Sequence, residues 1–175
     1  MPQVKNFAFL GEYRYLLQLV AAAVNCTVPP KPPKGLNWRV LLQIAQETAF
    51  APAAFYAVSA MKPEDRPPQA VFEKLYGAFL REASNNHIRD MVLTQLTDFC
   101  EQHAIRNMAL KGSYIKRFYP PPEMRYMVDI DFLIQQDCEN AVHAFLLKNG
   151  YKCSAQGQVP VSYTHLRAHE TRRHL

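Results

Sequence analysis

Two aspartates one residue apart, Asp129 and Asp131, stand inside an otherwise apolar run, Met127–Ile134 (MVDIDFLI). In a strand, alternate side chains share a face, so both carboxylates point one way and Ile130 and Phe132 the other. At ~3.3 Å of rise per residue, their Cα atoms lie ~7 Å apart. Carboxylates at that separation can hold a pair of divalent ions roughly 3.5–4 Å apart, the arrangement used for in-line phosphoryl displacement. Oxygen donors suit magnesium or manganese, whereas zinc would want imidazole or thiolate. The competing reading puts both aspartates on a solvated strand face that binds nothing. If the strand is buried, each charge loses its water and something cationic should sit beside it.

Upstream, Gly112 and Ser113 stand where a short strand gives way to a helix. Free backbone N–H groups at such a junction, together with the helix dipole, favour phosphate. Glycine admits close backbone approach, and the Ser113 hydroxyl can donate to a phosphate oxygen. Many helices simply start with such a pair. What joins the two motifs is their order: G-S on one strand-to-helix turn, D-I-D on the next strand.

The elements that must position these groups follow from periodicity and punctuation. Ile105–Leu110 reads as a short strand, Gly112–Phe118 as a helix and Tyr119–Pro122 as a loop. Met127–Ile134 is the second strand. Asp137 then caps a helix that runs through Lys148, with Gly150 as its stop. Tyr151–Ala155 reads as a third strand. Before Ile105 the chain is helical: residues 11–25, a helix capped by Asn37 with Trp38, Leu41, Leu42, Ala45 and Ala49 at helical spacing, then Pro52–Met61. From Gln69 one long amphipathic helix is expected, with Val71, Leu75, Phe79 and Ala83, then Ile88, Val92, Leu96 and Phe99, on its apolar face. A kink is expected around Ser84-Asn85-Asn86. Helices followed by strand–helix–strand–helix–strand predict an α+β fold: a helical part over 1–104, an αβ core with a small mixed sheet over 105–161, and a tail over 162–175.

Composition sets the bounds. The 175 residues are 49% hydrophobic and 20% charged, which excludes wholesale disorder. Nine of the thirteen prolines cluster at 29–33, 67–68 and 120–122, where they separate elements. No apolar run approaches the ~18 residues of a membrane span. With Arg14 ahead of it and Cys26 behind, 11–25 has the outline of a signal peptide with a lipobox. Glu12 and Asn25 do not suit that, and a core-facing helix is expected. The four cysteines, Cys26, Cys100, Cys138 and Cys153, form no C-x-x-C pair and read as free thiols in a reducing, cytoplasmic setting.

The formal net charge of +5 is concentrated at one end. Ser162–Leu175 (SYTHLRAHETRRHL) holds three of six histidines, three arginines and one acid, with almost no apolar periodicity. Without it the balance is 17 basic to 14 acidic residues, a net of +3, which removes most of the case for a nucleic-acid-binding surface. VSYTHLRAHET resembles translated sequencing-adapter read-through, so this tail is expected to be non-native. The competing reading is a genuine basic tail.

The segment Leu110–Ile134 carries a family resemblance. L-K-G, a Y-P turn, an arginine and D-I-D-x-L-I together resemble the uncharacterised nucleotidyltransferases often called nucleotidyltransferase family 5, similar in turn to the polymerase-beta-like nucleotidyltransferase superfamily. The likeness extends over residues 37–155, including the tryptophan-led helix and the long helix before L-K-G. It implies that Gly112 and Ser113 form the triphosphate-binding turn and that Asp129 and Asp131 are the first two metal-binding carboxylates. Lys111 and Arg125 match the family's own basic positions, for which phosphate contact is one role. A surface lysine and a structural salt bridge are the others.

The implied reaction is transfer of a nucleoside monophosphate from a magnesium- or manganese-bound triphosphate, ATP first among them, to an acceptor hydroxyl. The acceptor is left open between protein, nucleic acid, sugar and small molecule. The superfamily adds a third carboxylate from a later strand. Here no acid follows Glu139 until Glu170, so the chain is expected to be truncated, weakly active and prone to self-association through an exposed sheet edge. A non-catalytic nucleotide-binding module of the same fold is the alternative.

Overall fold

The computed structural model describes residues 9–151 and the backbone of strand 164–167. The chain divides into two compact units, one of residues 1–85 with 117–126, the other of residues 86–116 with 127–175. The boundary expected at 104/105 marks a change of secondary-structure type, whereas compactness divides the chain inside a helix.

The first unit is helical. Helices α1 (Leu10–Val24), α2 (Trp38–Glu47) and α3 (Ala51–Ser59) pack with the first part of α4 (Gln69–Gln102). α1 buries Tyr15, Leu16, Leu19, Ala22 and Ala23 on one face. The alanines Ala51, Ala53, Ala54 and Ala57 keep α3 thin enough to lie close to its neighbours. Asn37 caps α2 as its sequence position predicts: its Oδ1 accepts from the N–H groups of Arg39 and Val40 at 3.1 and 3.3 Å. Glu12 on α1 accepts from the Asn37 N–H at 3.1 Å and ties the cap to the first helix. Tyr15 meets Trp38 edge-to-face at 5.9 Å and donates to the Pro30 carbonyl at 2.8 Å, anchoring the proline-rich connector. Burial, and after it the charge of Asp65, pushes the Tyr15 hydroxyl well above the usual tyrosine range.

The second unit carries the rest of α4, then β1 (Asn107–Ala109), α5 (Lys111–Ile115), β2 (Asp129–Ile134), α6 (Glu139–Lys148) and β3 (Thr164–Arg167). The strand order is β1-β2-β3, with β2 in the middle. Asn107 faces Ile134 and Ala109 faces Phe132 across the first pair. Asp129 faces position 167, and Asp131 position 165, across the second. Leu96 and Cys100 of α4 pack with Ile105, Phe132, Val142 and Leu146, and Phe99 stacks on Phe145 at 4.2 Å. Gly150, at φ 84°, ends α6 as expected.

The α+β class stands, with differences in detail. Both pairings among the described residues are antiparallel, where a mixed sheet was expected. A parallel return needs a crossover of a dozen or more residues, usually a helix laid on the sheet. Residues 110–128 instead break into a five-residue helix, two 3-10 turns (Lys116–Phe118 and Pro122–Met124) and the proline loop. Tyr151 is not in a strand, and 152–155 lie outside the described residues. A described strand is formed by Thr164–Arg167, inside the segment set apart by its composition.

Candidate functional site

β2 alternates as its sequence requires. Ile130 and Phe132 are buried, while Asp129 and Asp131 sit half-buried on the opposite face. β2 continues one residue past Leu133, and the Leu110 N–H donates to the Asp131 carbonyl at 2.9 Å. That bond fixes the L-K-G segment against the second aspartate. Lys111 then brings its Nζ to 3.6 Å from Asp131 Oδ2. The Lys111 side chain is 70% exposed and that of Asp131 13%, so the pair adds at most about 1 kcal/mol of stability.

Between β1 and α5 the chain changes direction sharply. Leu110 is extended, at φ −111° and ψ 168°, and Lys111 takes a left-handed φ of 40°. A non-glycine residue there costs about 1–2 kcal/mol. Backbone strain of this kind gathers at functional sites, where surrounding contacts hold it in place. Gly112 follows, and Ser113 is buried. The helix they open is shorter than expected, five residues rather than Gly112–Phe118. So short a helix sums few peptide dipoles, and the turn's fitness for phosphate rests on its backbone N–H groups.

Five of the six sequence-predicted site residues, Lys111, Gly112, Ser113, Asp129 and Asp131, lie in the second unit, where Lys111 meets Asp131. Arg125 belongs to the first unit, just after the 3-10 turn Pro122–Met124, and its N–H donates to the Pro122 carbonyl at 3.1 Å. Among the described residues no group of three or more His, Cys, Asp or Glu forms a metal cluster. The donor set that is present, two half-buried carboxylates on one strand face, is of the oxygen type that suits a hard divalent ion. Magnesium keeps several waters and binds through one or two carboxylates plus substrate phosphates. A surface groove lined by Arg39, Leu42, Gln43, Gln46, Val71 and Lys74 lies in the first unit and includes none of these residues.

A set of buried polar side chains was not anticipated. α4 buries Val71 and Leu75, then Glu82, Asn86 and Arg89, then Val92, Leu96 and Cys100. The expected stripe through Ala83 and Ile88 is incorrect at its centre, since Ile88 is half exposed. Steps of three and four from Leu75 to Leu96 pass through 82, 86 and 89, so the helical period held while the residue type switched. Three polar residues in phase with an apolar stripe were the signal that could have found them. Arg89 Nη2 donates to the Met127 carbonyl, and its Nη1 reaches Asn86 Oδ1 at 3.5 Å. Lys116, also buried, donates to the Asp90 carboxylate.

Comparison with family models matches residues 34–175 to an uncharacterised nucleotidyltransferase family. The chain belongs to this family. The match includes L-K-G, the Y-P turn and D-I-D, so this nucleotidyltransferase-family protein presents its specific motif on the geometry just described. Comparisons with curated proteins and with solved structures gave no match. Among the described residues no helix is long and apolar enough to cross a membrane.

Proposed function

We propose that this chain binds a magnesium- or manganese-complexed nucleoside triphosphate, with ATP the first candidate, and transfers its nucleoside monophosphate to an acceptor hydroxyl. The observation that carries the reading is the half-buried Asp129/Asp131 face, stapled to the strained Lys111-Gly112-Ser113 turn within a nucleotidyltransferase-family chain. In the reaction the acceptor oxygen forms a bond to the α-phosphorus, the bond to the β-phosphate bridge breaks, and pyrophosphate leaves with that electron pair. The divalent ion supplies charge neutralisation for the triphosphate when bound.

Asp129 and Asp131 would hold that ion through carboxylate oxygens. The N–H groups at Gly112 and Ser113 would take the β- and γ-phosphates, with Lys111 as a mobile cation beside them. Positioning and fixed charge supply most of the catalysis in this chemistry. The hydroxyl proton also needs an acceptor, and such general-base help is worth roughly 10²–10⁴ in rate. With two carboxylates on the strand face, binding is expected to exceed turnover. The cytoplasm, which supplies the triphosphate, is the proposed compartment.

Calorimetry of the full chain with ATP, in the presence and absence of magnesium, tests the reading. Wild type should bind with metal dependence, and Asp129→Asn with Asp131→Asn should weaken magnesium-ATP by a hundredfold or more. Unchanged affinity in the double variant overturns the site. Metal-dependent binding without pyrophosphate release on offering protein or RNA acceptors would favour a binding module over an enzyme.

A further inference from the structure

Two contacts made by consecutive residues of α4 land on the two limbs of the candidate site. Arg89 donates to the carbonyl of Met127, two residues before Asp129. Asp90 accepts from Lys116, three residues after Ser113. All four residues belong to the second unit. The two contacts differ in burial: Arg89 is buried where it meets a backbone carbonyl, whereas in the ion pair Lys116 is buried and Asp90 is 55% exposed. A half-exposed ion pair adds little stability, so its consequence lies in where it holds Lys116. A guanidinium, being planar and rigid, fixes the direction of its acceptor more narrowly than an apolar contact would. Asn86, one turn earlier and almost fully buried, accepts from the same guanidinium and adds a second constraint on its plane.

Resting on the nucleotide-site reading above, we infer that Arg89 and Asp90 are positioning residues that clamp the carboxylate strand and the phosphate turn at a working separation. Arg89 holds the start of β2, and Asp90 holds the end of α5 through Lys116. The Leu110 N–H bond to the Asp131 carbonyl closes the same loop from the other side. A triphosphate spanning the two limbs would bind best when that separation is set in advance.

The test uses the full chain with Arg89→Met, Arg89→Lys, Asp90→Lys, Lys116→Asp and the Asp90→Lys/Lys116→Asp exchange. Leu19→Ala in the first unit serves as a destabilised control. Magnesium-ATP calorimetry should show a loss of tenfold or more for Arg89→Met and for Asp90→Lys. Arg89→Lys should recover part of the first loss, and the exchange should return to within threefold of wild type. Wild-type binding with affinities unchanged in both single variants overturns the clamp. If wild type binds no magnesium-ATP, the nucleotide reading fails and amide hydrogen exchange decides the clamp on its own. Exchange at the Leu110 N–H should then be at least tenfold faster in Arg89→Met than in Leu19→Ala, and equal rates overturn the inference. Should Arg89→Met fail to fold, the Asp90 and Lys116 exchange decides by the same two readouts.

Discussion

The two units bury different chemistry. The helical unit encloses a broad apolar cluster drawn from all four of its helices, with Leu19, Leu41, Ala45, Ala54, Val58 and Leu75 essentially inaccessible. Among the described residues, Glu82 is its one buried charged side chain. The αβ unit has a smaller apolar cluster and buries Asn86, Arg89, Ser113 and Lys116 around the strand and turn that carry the candidate site. Apolar burial is non-directional and scales with area, so it holds the helical unit together without fixing the direction of any one group. Buried hydrogen-bonded polar groups are directional and expensive when unpaired. They fix the direction of the groups they join.

Breaking each unit by its own kind of contact should separate stability from affinity. The largest effect is expected at Leu19, which has no exposed surface. Leu19→Ala should lower stability by about 3 kcal/mol in urea unfolding, within the usual range for a buried leucine. Magnesium-ATP affinity measured without urea should stay within twofold of wild type. A large affinity loss there would mean that the two units are not separable in function.

Asn86→Leu should do the opposite. The Asn86 Nδ2 is buried with no hydrogen-bond partner among the described residues, a state that costs about 1–3 kcal/mol. Leucine has nearly the same size and removes that donor. It is also the better helix former, by a few tenths of a kcal/mol. The change also takes the Oδ1 acceptor from buried Arg89, which offsets the gain, so thermal unfolding should stay within about 1 kcal/mol of wild type while magnesium-ATP affinity falls several-fold. A variant that gained stability with no loss of affinity would sharpen the comparison against Asn86 and leave Arg89 alone as the positioning group.

Smallest of all should be the effect of deleting residues 162–175. β3 adds four residues to one edge of the sheet, and cross-strand pairs contribute only about 0.2–1 kcal/mol each. Four pairs at the low end of that range sum to roughly 1 kcal/mol, so the melting temperature should fall by no more than about 4 °C. A loss of about 10 °C or more would show that the segment packs as a native part of the αβ unit.

How much was legible beforehand varies by residue. Asn37 was readable as a cap because a side-chain acceptor ahead of an apolar-periodic run has one local use, and its bonds to Arg39 and Val40 bear this out. The β2 face was readable because strand alternation is a property of the backbone, and Ile130 and Phe132 are buried opposite the aspartates. α4 was legible as a helix but not in its central contacts. Its apolar stripe was read through Ala83 and Ile88, whereas the inward positions are Glu82, Asn86 and Arg89. The length of α5 was also missed, because what ends it is the 3-10 geometry of Lys116–Phe118 rather than a proline or glycine at that point.

The sequence by itself determined the helical half, the alternation of β2, the order of the turn and the carboxylate strand, and the family, because each depends on local period or on a short motif. Only the tertiary structure decided the antiparallel pairing of β1 with β2, the left-handed φ at Lys111, and the approach of Lys111 to Asp131. It also decided which polar residues of α4 turn inward to meet Met127 and Lys116, and that Arg125 falls in the other unit. The physical reason is range. A helix or strand face repeats within a few residues, whereas Arg89 and Met127 are 38 positions apart and Asp90 and Lys116 are 26 apart. No local preference brings such pairs together, and they meet only once the chain between them has folded.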